Sequence, residues 1–195
     1  MRMKQCTIKA AATVKGVGLH TGEVVTLTMR PAPENHGYKF RRIDLPEAPL
    51  IAADANKVVA TNRGTVIKEG IAQVSTVEHV LSALIGLGID NVLLEIDGGE
   101  VPILDGSALI YVQKITEAGI EEQNAAREYF DITEIITFKD EKTGAEYVAM
   151  PAEEYCLTTM IDFNSEVLGQ QFATDRKSTR LNSSHLRLSR MPSSA

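Results

Sequence analysis

Val74-Ser-Thr-Val-Glu-His-Val-Leu-Ser-Ala-Leu84, followed past Gly86 and Gly88 by Asn91-Val-Leu-Leu-Glu-Ile96, decides the fold class of this chain. Val77, Val80, Leu81 and Leu84 recur at helical spacing and predict one apolar helix face. The two glycines predict where that helix ends. Asn91–Ile96 is a dense apolar run, read as a strand suited to burial on both faces. Downstream, Gly98-Gly99 turns the chain. Ser107 can cap a second helix with Leu109, Ile110, Val112 and Ile115 inside and Gly119 at its end. Upstream, Cys6 to Val14 reads as a first strand. Glu23 to Arg30 alternates, with Val25, Leu27 and Met29 on one face. Pro31-Ala-Pro33 stops it, because proline cannot donate to a ladder. Tyr38 to Arg42 is a short strand, and Leu45 to Ala53 reads as a proline-broken loop. Strands, two helices and an intervening strand predict an α+β domain over residues 1–124.

Glu121 to Arg127 is polar and reads as a link to a second region, 125–174. There Phe130–Lys139, Glu146–Met150 and Cys156–Phe163 read as successive strands, the first two joined by a turn at Lys142-Thr-Gly144. Of the 20 basic and 26 acidic residues, five basic (Arg176, Lys177, Arg180, Arg187, Arg190) and one acidic (Asp175) follow Thr174. This leaves 15 against 25 before it, a net charge of −10. An acidic body argues against nucleic-acid binding through the phosphate backbone. No apolar run approaches the roughly 20 residues that span a membrane. The basic start Met-Arg-Met-Lys has no apolar stretch behind it, so it is not a signal peptide. Cys6 and Cys156 lack metal-type spacing and read as reduced thiols. The expected compartment is the cytoplasm.

Two chemical readings of Ser75-Thr-Val-Glu-His79 stand open on the residues alone. Ser75-x-x-Glu78 fits a capping box, with the serine oxygen on a helical amide and the glutamate reaching back. On that reading the chain is a non-catalytic α+β binding or structural module, and Ser75/Glu78 is only a helix cap. Alternatively, His79, beside Glu78 in the first turn, is kept neutral by the positive helix end and is available as a metal ligand.

This segment, together with Gly16-Val-Gly-Leu-His-Thr-Gly22, Arg30-Pro-Ala-Pro33, Arg41-Arg42 with Asp44, Leu87-Gly-Ile-Asp-Asn91 and Pro102-Ile-Leu-Asp-Gly-Ser107, resembles one family as a set. That family is the zinc-dependent UDP-3-O-acyl-N-acetylglucosamine deacetylases of lipid A synthesis. The resemblance implies an amidohydrolase that removes acetate from a UDP-sugar lipid, UDP-3-O-(3-hydroxyacyl)-N-acetylglucosamine, in a bacterium with an outer membrane. It implies Zn2+ as cofactor, Glu78 as general base, His79 as a zinc ligand, and His20 as an active-site neighbour. Asp105 reads as a structural turn residue. Some members are fused to a 3-hydroxyacyl carrier-protein dehydratase.

The resemblance covers Met1 to Thr174. It also implies two further zinc ligands from a His-Lys-x-x-x-Asp pattern, a late histidine as acid and a threonine for the oxyanion; none of these patterns occurs in this chain. The chain as given is therefore expected to be inactive, with His79 as its one ligand. From Asp175 the sequence resembles the conceptual translation of a sequencing-library adapter, with Leu186-Arg-Leu188 in place of the variable index. Residues 175–195 are expected to be a non-native, disordered tail, and His185 is not recruited as a ligand.

Overall fold

The computed structural model describes residues 3–129, 131–152, 156–176 and 189–190. Two compact units emerge, Met1–Arg127 and Glu128–Ala195. The first runs β1 (Lys4–Ile8), β2 (Ala12–Val17), β3 (Val24–Pro31), β4 (Tyr38–Arg42), β5 (Leu50–Ala52), a 3-10 turn (Ala55–Lys57), β6 (Val58–Ala60), β7 (Val66–Glu69) and β8 (Ala72–Ser75). It continues through α1 (Glu78–Gly86), β9 (Val92–Ile96), α2 (Leu109–Ala118) and β10 (Ile120–Ala126). The α+β expectation holds.

Its main sheet has the order β2-β3-β9-β4-β5. All neighbours are antiparallel except β4 and β9, which run parallel. The period of two along each strand sends Val25, Leu27 and Met29, Val92, Leu94 and Ile96, Phe40 and Ile51 to one face. There they meet Val80, Ala83 and Leu84 of α1 and Tyr111 and Ile115 of α2 in one core. The other face is polar. Glu95 of β9 lies between Arg30 and Arg41, 3.2 Å from the latter. So β9 buries one face only, contrary to the two-sided burial its composition predicts: Leu93 and Glu95 are only half-buried.

Four other readings need correction. The span Cys6–Val14 is two strands, because the chain bends after Ile8, where Lys9 N–H donates to Gly119 O at 2.8 Å. Ile8 pairs with β10 and Ala12 with β3. The polar stretch 121–127 is largely strand β10, since pairing with β1 satisfies its backbone while its acids face water, Glu122 against Lys4 at 3.0 Å. The loop 45–53 ends in an edge strand, where Ile51 is buried against the core. A small antiparallel sheet, β6-β7-β8, has no counterpart in the sequence reading.

The second unit contains the hairpin β11 (Ile136–Lys139) and β12 (Glu146–Ala149), then β13 (Cys156–Asp162), β14 (Gln170–Arg176) and β15 (Ser189–Arg190). Gly144 takes a positive φ of 73° at the expected turn. Strands thus occur within all three predicted spans. Asp175 and Arg176 close β14, opposite Leu157 and Cys156, and Ser189–Arg190 pairs with the same strand. The rest of the expected tail, His185 included, lies outside the described residues. Among the described residues no helix is long and apolar enough to cross a membrane.

Candidate active site

α1 begins at Glu78, not three residues before it. Ser75 is the last residue of β8 and its N–H donates to Gly99 O at 3.0 Å. Its hydroxyl donates to the same carbonyl at 3.2 Å. Thr76 then adopts φ 57°, a left-handed turn that breaks the strand. Buried Val77 holds the cap position without a side-chain hydrogen bond. The capping-box reading is therefore wrong: Glu78 is the first helical residue, two positions before the one from which a capping-box glutamate reaches back, and the Ser75 amide is already used. The non-catalytic alternative that rested on this cap loses its basis.

Freed from capping, the exposed Glu78 carboxylate accepts a hydrogen bond from Thr65 N–H through Oε1. Thr65 O in turn accepts from Thr76 N–H at 3.0 Å. The β6–β7 loop thus holds one carboxylate oxygen of Glu78 and leaves the other without a partner among the described residues. An acid in the first turn also suits the positive end of the helix. His79 follows, half-buried, and its backbone carbonyl accepts from Ser82 at 2.9 Å.

His20 comes to the other side of the same loop. Its Nε2 lies 3.1 Å from Arg63 O. A carbonyl only accepts, so Nε2 carries a proton, and in the neutral ring Nδ1 is left as an acceptor. Arg63 itself sits at φ 60°. His20 and Glu78 are therefore gathered on the one β6–β7 loop, residues 61–65, and His79 is brought in as the helical neighbour of Glu78.

Glu100, which the sequence reading passed over, underlies this arrangement. It is fully buried, at 0% exposure. Its oxygens accept from His20 N–H at 3.0 and 3.1 Å, Thr21 N–H at 2.8 Å, Thr21 Oγ1 at 2.9 Å and Thr76 Oγ1 at 2.8 Å. Burial pushes its carboxyl pKa up, but the bonds from Thr21, Thr76 and His20 outweigh burial, and the net shift is below the ordinary value. The available signal was an acid directly after Gly98-Gly99 and directly before the apolar run Val101–Leu104. Asp105 behaves as the turn residue expected, accepting from Ser107 N–H at 3.0 Å and its hydroxyl at 2.9 Å. Ser107 Oγ accepts from Leu109 N–H at 3.1 Å, so it supports the start of α2 although Ala108 is the formal cap.

A catalytic zinc takes three protein ligands and keeps one position open. Among the described residues no group of three or more His, Cys, Asp or Glu converges on a point. His79 alone does not fit a zinc centre; further donors are needed.

The profile described as LpxC: UDP-3-O-acyl N-acetylglycosamine deacetylase matches residues 5–190. The "Bifunctional enzyme LpxC/FabZ" of Bacteroides thetaiotaomicron is 47% identical over 172 residues, 88% of this chain and 37% of that protein. The Porphyromonas gingivalis protein of the same description is 44% identical over 171 residues, again 88% and 37%. The "UDP-3-O-acyl-N-acetylglucosamine deacetylase" of Haemophilus influenzae is 44% identical over 169 residues, 86% and 55%. The chain thus spans between 37% and 55% of the length of these relatives. With nearly its whole length matched by one profile, and with Glu78 and His20 gathered on one loop, this chain belongs to the UDP-3-O-acyl N-acetylglycosamine deacetylase family.

Proposed function

We propose that the whole protein is a cytoplasmic, zinc-dependent amidohydrolase that removes acetate from UDP-3-O-(3-hydroxyacyl)-N-acetylglucosamine on the way to lipid A. The observation that carries this reading is Glu78 at the start of α1, tethered through one oxygen to Thr65 N–H, with His79 beside it and His20 across the loop. In this reading the free oxygen of Glu78 takes a proton from the attacking water, and His79 is one ligand of the metal. Bound zinc supplies Lewis acidity, which polarises a carbonyl and acidifies water. The remaining ligands come from beyond the described residues, and the 195-residue chain alone turns over no substrate. The naming of two relatives as bifunctional supports a second enzyme, a dehydratase, fused in the full-length protein.

The test is acetate release by the full-length protein. Glu78→Gln should lower kcat by about 10²- to 10⁴-fold, the usual contribution of a general base, while zinc content stays at one per chain. His79→Ala should lose zinc. A Glu78→Gln protein with undiminished kcat would refute the base assignment.

A further inference from the structure

Among the described residues Glu100 is buried without a cation partner; its four donors there are all neutral groups. Such an arrangement is chemically selective. Four donors and no acceptor converge, and an ionised carboxylate is the side chain that only accepts, with about four lone-pair directions. A glutamine would turn its NH2 into that cradle. An apolar side chain would leave the donors buried and unsatisfied. The donors come from two places far apart in sequence, the His20–Thr21 loop and Thr76, the left-handed residue from which α1 starts. The backbone reinforces the junction: Val101 N–H donates to Ser75 O at 3.1 Å. Gly18 lies against the same carboxylate, where an added Cβ would come within 2.5 Å of Oε2.

We propose that Glu100 is a positioning residue: its carboxylate clamps the His20 loop to the Thr76 turn and so fixes His20 relative to Glu78 and His79. The inference rests on the hydrolase reading above for its activity readout, but not for its structural one.

Two measurements test it. Amide hydrogen exchange on the 195-residue chain should show the His20 and Thr21 amides protected in wild type and released in Glu100→Gln, with β3 and β9 amides unchanged. Steady-state kinetics on the full-length protein should show kcat reduced roughly 10- to 100-fold in Glu100→Gln, as for groups that orient a site, with KM and zinc content nearly unchanged. Thr76→Val, which removes one donor and keeps the shape, should fall in the same direction by less, and Thr76→Ser, which restores the hydroxyl, should recover most of the loss. If Glu100→Gln fails to fold, the Thr76 pair decides. Equal kcat for Thr76→Val and Thr76→Ser, or unprotected His20 and Thr21 amides in wild type, overturns the clamp. A wild-type protein that releases no acetate refutes the hydrolase reading instead, and the exchange data then judge the clamp alone.

Discussion

Gly18 has no room for a side chain. A Cβ there would press on Glu100 Oε2 at 2.5 Å, and on Thr21 Oγ1. Gly18→Ala should therefore destabilise the first unit by about 1–3 kcal/mol, the usual cost of overpacking, read as a lower urea midpoint at unchanged m. Glu100 also sets an acid limb. Its folded pKa lies below the ordinary 4.5. A depressed carboxylate adds stability that is complete above its unfolded pKa and is lost as pH falls through the folded value. The stability gap between wild type and Glu100→Gln should be widest near neutral pH and should close on acidification. A gap that does not change between about pH 7 and pH 3 would contradict this. At this scale the Glu78–His79 pair was legible because the two residues are adjacent and helical spacing follows them. Glu100 was not, because its role exists only through partners 24, 79 and 80 residues away. The start of α1 misled for a related reason. Ser75-x-x-Glu78 has the composition of a cap, but the backbone of Ser75 is claimed by Gly99.

Among the elements, β9 shows what composition predicts and what it cannot. Its apolar run correctly marks a central strand, but the identity of the second face is set by neighbours in β3 and β4 that place Arg30 and Arg41 around Glu95. Leu94, at 0% exposure, faces the core, and Leu93 faces the polar side. Leu94→Ala should cost about 2–5 kcal/mol, the range for a buried leucine cavity, and Leu93→Ala distinctly less. Equal losses in denaturant titrations would mean that both faces are packed. β10 was read as a linker because its side chains are polar. Strand pairing, however, is a backbone interaction, and an edge strand with acids facing water satisfies it without an apolar pattern.

For the molecule as a whole, the two units differ in how much they bury. The first holds one continuous core. In the second, Ala173 is the buried hydrophobic residue among the described residues, while Phe138, Tyr147, Met160 and Ile161 remain exposed. Each large apolar side chain left in water forgoes about 1.5–3 kcal/mol. A polypeptide of residues 1–127 should therefore melt in one cooperative transition by circular dichroism, and one of residues 128–195 should show none. A cooperative melt in the second piece would show a core that these exposures do not reveal.

The pairing of β1 with β10 has a consequence for biosynthesis. Lys4–Ile8 is synthesised well before its partner, which is complete only at Ala126. At synthesis rates of about 5–20 residues per second, the N-terminal strand waits on the order of 10 s for its place in the fold. β3 waits similarly for β9, and β4 is held open on the same side. The nascent chain therefore carries several apolar strands with open edges at once. Its yield in cells should follow the availability of chaperones that shield extended segments at the exit tunnel, more closely than the stability of the finished sheet.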